Sequence, residues 1–114
     1  MLKRTQMDVL KPIGQIEVSF AFSRHMGPRN MHGAVTLQFD SLRSYYFTSN
    51  VRWPDGNNYD EPVRLAIEET LQEIQGHIKG PSVLLKGIEW DDVSSCQSAF
   101  VRAAKAATRA AFEV

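Results

Sequence analysis

The sequence predicts an α+β domain, a β-β-β-α-β-α two-layer sandwich with a four-stranded sheet and two helices on one face. Three observations carry that expectation. Between residues 15 and 51, apolar side chains recur at every second position in three short runs, the period of a half-buried strand. Residues 63–78 carry apolar side chains at helical spacing, and an alanine-rich run after Asp92 repeats the helical period. One further apolar run lies between these two helices.

Taken in order, residues 1–12 are polar, end at Pro12 and read as a flexible lead-in, which leaves 13–114 as one domain. Ile16, Val18, Phe20 and Phe22 alternate with Gln15, Glu17, Ser19 and Ser23 as a first strand. From Ser23 to Gly33 the alternation lapses, and Gly27-Pro28 with Asn30 predicts a loop. Val35, Leu37 and Phe39 then face opposite to Thr36, Gln38 and Asp40 in a second strand. After the short Ser41–Ser44 link, Tyr45, Phe47 and Val51 predict a third, and short links predict an antiparallel meander.

Trp53-Pro54-Asp55-Gly56-Asn57-Asn58 is dense in turn residues. Asp60 fits an N-cap, with Pro62 in a first turn that tolerates it. Val63, Ile67, Leu71, Ile74 and Ile78 form the inward stripe of this helix, Glu68, Glu69 and Glu73 face out, and Gly80-Pro81 ends it. Val83 to Trp90 is the fourth strand. Asp92 and the serines that follow are natural helix starters, and Ser94 with Gln97 fits a capping box. Cys96, Phe100, Ala104 (or Ala103), Ala107 and Ala111 line the buried side, while Arg102, Lys105 and Arg109 share another face. The buried stripe is mostly methyl groups with Phe100 as its one large knob. Such a helix can lie unusually close to the sheet it covers.

Composition bounds the function. In 114 residues, 43% apolar and 23% charged content belong to an ordinary globular domain. Thirteen basic residues balance thirteen acidic ones, so bulk charge makes no case for nucleic acid or a membrane, and neither DNA nor a membrane is an expected partner. The single Cys96 excludes an internal disulfide, and the start of the chain lacks the apolar core of a signal peptide, so the expected location is cytoplasmic.

Catalytic signals are absent. The sequence holds no Gly-rich phosphate loop, and one Cys with three scattered His residues lacks zinc-ligand spacing, so no cofactor is expected. His25, His32 and Cys96 read as loop histidines and a packed thiol rather than as a metal set. Asp91-Asp92 reads as a capping pair rather than as an acid–base couple. Arg43, Tyr45, Tyr46, Arg52 and Trp53 offer a stacking surface for single-stranded RNA, against the commoner reading of strand aromatics as packing residues. No paired acid and base appears, and the chain is not expected to be an enzyme.

Two stretches resemble a known family. Asp91-Asp92-Val93-Ser94-Ser95-Cys96-Gln97-Ser98-Ala99-Phe100, followed by Ala103-Ala104-Lys105-Ala106-Ala107, resembles the His-Asp-Val-Asp-Ser-Ser-x-x-x-Ala-Phe-x-x-Ala-Ala motif in the fourth domain of translation elongation factor G. Arg29-Asn30-Met31-His32-Gly33-Ala34-Val35 is similar to the Arg-Gly-Gln-Tyr-Gly-His-Val element of the same domain, and Tyr59 with Pro62-Val63 stands where the family has a Glu-Tyr-Ile-Pro-Ala-Val helix. The resemblance spans roughly residues 15 to 112. It implies a ribosomal protein S5 domain 2-like fold with a left-handed β-α-β unit, against the usual crossover hand.

The resemblance also implies a role in translation elongation, with the ribosome or structured RNA as partner and the tip loops entering the decoding site. The residues it assigns to that contact are Arg24, His25, Arg29, Asn30 and His32 from the first loop, and Asp91, Asp92 and Ser94 from the second. Asp91 stands where the family has histidine, and Asn30 where it has glycine. No GTPase motif accompanies them. The alternative expectation is a protein-interaction module that keeps the fold and changes its partner, through Tyr45, Tyr46 and Trp53 or the open face of the sheet.

Overall fold

The computed structural model describes residues 15–26 and 29–112, and the lead-in of residues 1–12 lies outside the described residues. The elements are β1 (Gln15–Met26), β2 (Arg29–Asp40), β3 (Phe47–Ser49), α1 (Asp60–Gln75), β4 (Ser82–Glu89) and α2 (Gln97–Phe112), with a 3-10 turn at Pro54–Gly56. The expected α+β class and element order hold.

The expected meander does not. The strands lie side by side in the order β1-β2-β4-β3, so β4 separates β3 from β2. β1 pairs antiparallel with β2 from Gln15↔Asp40 to Met26↔Arg29. β2 pairs antiparallel with β4, with a register shift between Thr36 and Leu37, and β3 pairs parallel with β4 through Phe47↔Val83. The physical reason is the 3-residue length of β3. An antiparallel neighbour for β2 must match a long apolar row, and Val83 and Leu85 of β4 supply one.

The loop expected from Ser23 to Gly33 is also replaced. β1 runs on to Met26 and β2 begins at Arg29, residues 23–26 pairing across with 29–32, while Gly27-Pro28 lies outside the described residues. Period-2 patterning fades where little of either face is buried, although the backbone ladder persists.

One face of the sheet is covered. Val35, Leu37 and Phe39 of β2 and Val83 and Leu85 of β4 form a continuous core with Val63, Ile67 and Leu71 of α1 and Phe100, Ala103, Ala104, Ala107 and Ala111 of α2. Phe100 is fully buried and stacks on Trp90, with ring centroids 5.5 Å apart, and meets Trp53 edge-on at 5.0 Å. The predicted knob is the centre of an aromatic cluster that also holds Tyr59. α2 runs alongside β2 from Gly33, where Ala99 and Phe100 approach it, to Phe39, whose ring meets Phe112 at 6.2 Å.

Helix ends differ from the sequence reading in instructive ways. α1 stops at Gln75 rather than at Gly80-Pro81, because Gly76 takes a left-handed conformation (φ 78°) and its N–H donates to the Gln72 carbonyl at 2.8 Å. Ile74 is consequently exposed rather than part of the inward stripe. Asp60 is not the N-cap. It is the first residue of α1, and its carboxylate accepts from Trp53 Nε1 and Ser49 Oγ, both at 2.8 Å, tying β3 and the turn to the helix. Nor does Ser94 build a capping box, since α2 begins at Gln97 and the Cys96 carbonyl accepts the Ala99 and Phe100 N–H groups.

Truncating Phe100 to alanine is expected to cost about 3–5 kcal/mol in urea unfolding, because the cavity would open at the junction of both helices and the sheet. A Gly33→Ala change is expected to cost about 1–3 kcal/mol, because its methyl carbon would sit 3.0 Å from the Phe100 nitrogen and 3.1 Å from the Ala99 carbonyl carbon, where backbone rather than a flexible side chain must yield.

Candidate functional site at the hairpin end

The hairpin outruns the sheet. β2 meets β4 only from Ala34↔Glu89 onward, so residues 29–33 pair with β1 alone. In this segment Ser23 lies opposite His32, Arg24 opposite Met31, and His25 opposite Asn30. Arg24, His25 and Asn30 are exposed. The side chain of Arg29 lies outside the described residues, and its backbone closes the ladder opposite Met26.

The second segment folds against the first. The Ser95 N–H donates to the Asp91 carbonyl and the Asp91 N–H to Ser95 Oγ, each at 2.9 Å, closing a tight turn. Ser95 Oγ in turn donates to the His32 carbonyl at 2.9 Å, and the His32 N–H donates to the Ser94 carbonyl at 3.0 Å. Two hydrogen bonds thus clamp the turn onto the hairpin at the residue beside Gly33. Sixty-two positions separate His32 from Ser94 in the chain, and the close approach of α2 at Gly33 brings them together. The sequence marks Ser95 only as a helix starter. Its role depends on a β2 backbone that no local pattern places nearby.

His32 is held on both sides of its ring. Ser23 Oγ lies 2.6 Å from Nδ1, and Glu89 Oε1 lies 3.8 Å from Nε2. His32 therefore does not meet His25 and Cys96 in a ligand set. Asp92 accepts from Trp90 Nε1 at 3.1 Å and remains exposed.

Asp91 is the most perturbed group here. The Ser94 hydroxyl, then the N–H groups of Val93 and Ser94, donate to its carboxylate and hold it below the usual carboxylate range, with the nearby His32 adding to the same effect. The acid that stands in place of the family's histidine is thus turned back into its own turn. Those donors stabilise its negative charge, which stays exposed at the tip.

The aromatic stacking surface suggested by the sequence does not form. Trp53 is buried, and Tyr45 is half-buried with its hydroxyl donating to Glu68 at 2.8 Å. Burial first, then that hydrogen bond, pushes the Tyr45 hydroxyl far above its ordinary value. Only Tyr46 of the three is exposed. Glu68 also accepts from Arg64 at 2.6 Å, and Arg64 pairs with Glu61 on its other side. Among the described residues no group of three or more His, Cys, Asp and Glu side chains is placed to hold a metal ion.

No protein-family model matches this chain, and no curated protein matches it in sequence. Among solved structures, the crystal structure of ttk003000868 from Thermus thermophilus is similar, with a TM-score of 0.67 and 19% sequence identity. The likeness is one of fold. It covers 84% of this chain and 15% of the Thermus chain, so the present chain spans a small part of its neighbour's length. No helix of the described residues is long and apolar enough to cross a membrane.

The depressed Asp91 carboxyl gives a signed pH dependence. A group whose folded value is lowered stabilises the fold above its unfolded value and loses that contribution as pH falls through the folded one. Wild type should therefore melt higher than Asp91→Asn at neutral pH. The gap should begin to close near the ordinary aspartate value of 3.8 and vanish below the lowered, folded one. Thermal melts of both proteins across that range test it; a gap independent of pH would show that the carboxylate charge plays no part. Ser95→Ala should cost about 1–2 kcal/mol, having lost one donor to His32 and one acceptor for Asp91.

Proposed function

We propose that this chain is a non-catalytic relative of the fourth domain of elongation factor G, acting in the cytoplasm on the ribosome or its structured RNA during translation elongation. The observation that carries the reading is the clamp between His32 and Ser94–Ser95. The two segments whose sequences resemble the family's tip loops are far apart in the chain, and they lie at one end of the molecule joined by hydrogen bonds to the His32 backbone. That end is narrow and two-stranded, the shape required to enter an RNA-lined cleft. The molecule is elongated to match, 47 × 27 × 22 Å.

One guanidinium at the hairpin end supports the reading, beside the exposed carboxylates of Glu89, Asp91 and Asp92. Arg24 and His25 are exposed, with no carboxylate partner among the described residues, whereas Arg43, Arg64, Lys86, Lys105 and Arg109 are each paired with an acid. The Arg24 guanidinium, left unpaired at a projecting end, is available to phosphate.

A second reading, a protein-interaction module, draws on the opposite end of the open face. There Gln15, Gln38, Asp40, Arg43, Tyr46 and Thr48 line a shallow groove of about 560 Å³, and Tyr46 is 68% exposed. Its lining is mixed and half polar, and it holds no apolar anchor pocket of the kind that dominates protein interfaces.

Co-sedimentation with 70S ribosomes at low and moderate salt separates the two. Wild type should pellet at low salt and be released as salt rises, and Arg24→Glu should remain in the supernatant. Pelleting by neither protein at any salt would defeat the ribosome reading, and selective loss in Tyr46→Ala would move the contact to the groove.

A further inference from the structure

We infer that the edge formed by β1 and α2 is a contact strip for single-stranded RNA, built from Phe20, Phe22, Arg24 and Arg102. The inference rests on the RNA reading above and extends it from Arg24 of the hairpin along β1 and α2, and no residue of α2 is among the contacts that the family resemblance implies.

The strip follows from alternation. Ile16, Val18, Phe20, Phe22 and Arg24 occupy every second position of β1 and so share the helix-side face of the sheet. Ile16, Val18 and Phe22 pack against the core, but Phe20 does not and is 41% exposed. The cause lies in α2. The helix lies close to β2, with Ala99 and Phe100 on Gly33, and the residues one and two turns beyond Arg102 are Ala106 and Ala110. Methyl side chains on that ridge are too short to cover an outer strand.

Arg102 completes the strip. Its guanidinium carbon stands 5.3 Å from the centre of the Phe22 ring, a cation–π distance, and Arg24 is the next residue along the same face of β1. Neighbouring cations of α2 are neutralised: Lys105 pairs with Glu69 at 2.9 Å and Arg109 with Glu73 at 2.6 Å. Arg102 and Arg24 have no carboxylate partner among the described residues. α2 contains no acid at all, and the sole acid of β1, Glu17, is on the opposite face in a 2.6 Å pair with Lys86. The edge therefore carries net positive charge and open aromatic area in a protein whose overall charge is zero.

Two cations gathered at Phe22, with the open Phe20 ring beside them, match the chemistry that holds unpaired nucleotides. Phosphates meet the arginines and a base stacks on the exposed ring. A folded protein partner would find no deep pocket here, and an acidic one would leave the Phe20 ring without a stacking partner.

The test is fluorescence anisotropy of the full chain with a labelled oligouridylate of about 12 nucleotides, within the site sizes of single-strand binders, across a salt series. It uses wild type, Arg102→Gln and Phe20→Ala. Both substituted side chains are exposed, so circular dichroism and melting temperatures should stay at the wild-type values. Arg102→Gln should weaken binding and reduce the slope of log K against log salt by about 0.7, the loss of one phosphate contact to a single strand. Phe20→Ala should weaken binding about five-fold or more with the slope unchanged, because stacking releases no counterions. Oligouridylate binding equal to wild type in both variants overturns the strip. Ribosome pelleting without any oligouridylate binding overturns it too, while leaving the hairpin reading intact. Oligouridylate binding sensitive to both variants, in a protein that never pellets with ribosomes, upholds the strip and rejects the ribosome. A wild-type dimer that Phe20→Ala converts to monomer in analytical ultracentrifugation makes the edge a protein interface and overturns the proposal.

Discussion

The contact between Gly33 and the start of α2 governs the rest of this molecule. With hydrogen as the side chain at 33 and alanine at 99, helix and strand backbones approach so closely that a Cβ at position 33 would lie 3.0 Å from the Phe100 nitrogen. That approach seats Phe100 in the aromatic cluster with Trp53, Tyr59 and Trp90, and it sets the height at which Ala103, Ala104 and Ala107 meet Val35 and Leu37. It also delivers Ser94 and Ser95 to the His32 backbone. Core and candidate site are therefore two readings of one close contact, and the second cannot loosen without the first.

Much of this is visible in the chain. The inward rows Val35-Leu37-Phe39 and Val63-Ile67-Leu71, the alanine stripe of α2 and the role of Phe100 all follow from period and size, because burial on one face imprints itself on sequence. What escapes is what burial does not write. The distal hairpin is covered only near His32 and Gly33, so its strands carry little burial pattern and look like loop, and the insertion of β4 between β2 and β3 is a choice among partners that strand patterning leaves open. The end of α1 falls early because Gly76 alone, without a proline beside it, supplies the left-handed cap. Among the candidate residues, His32, Asp91 and Ser94 are brought together, Arg24, His25 and Asn30 share the hairpin with them, and Asp92 faces away to Trp90.

The distribution of charge has its own logic. Glutamates of α1 pair with cations of α2, Arg109 with Glu73 and Lys105 with Glu69, and these exposed pairs between helices contribute little stability each. Their effect is more a matter of field than of strength. They cancel charge over much of the helix layer and leave Arg102 and Arg24 without an acid partner along the β1 edge, in a chain with equal numbers of acids and bases.

The placement of β4 between β2 and β3 carries a consequence for how the chain acquires its shape as it is made. When β3 is synthesised it has no sheet neighbour to join, because both its own partner and the inner partner of β2 are the same later strand. Until residues 82–89 emerge, the sheet of the nascent chain can hold only the β1–β2 hairpin, and a lone hairpin is marginal in water. α2 is made later still, and without it the apolar row of β2 remains wet. Local contacts therefore reward the chain little during synthesis, and closure of the sheet and arrival of its cover come as one late event spanning nearly the whole sequence.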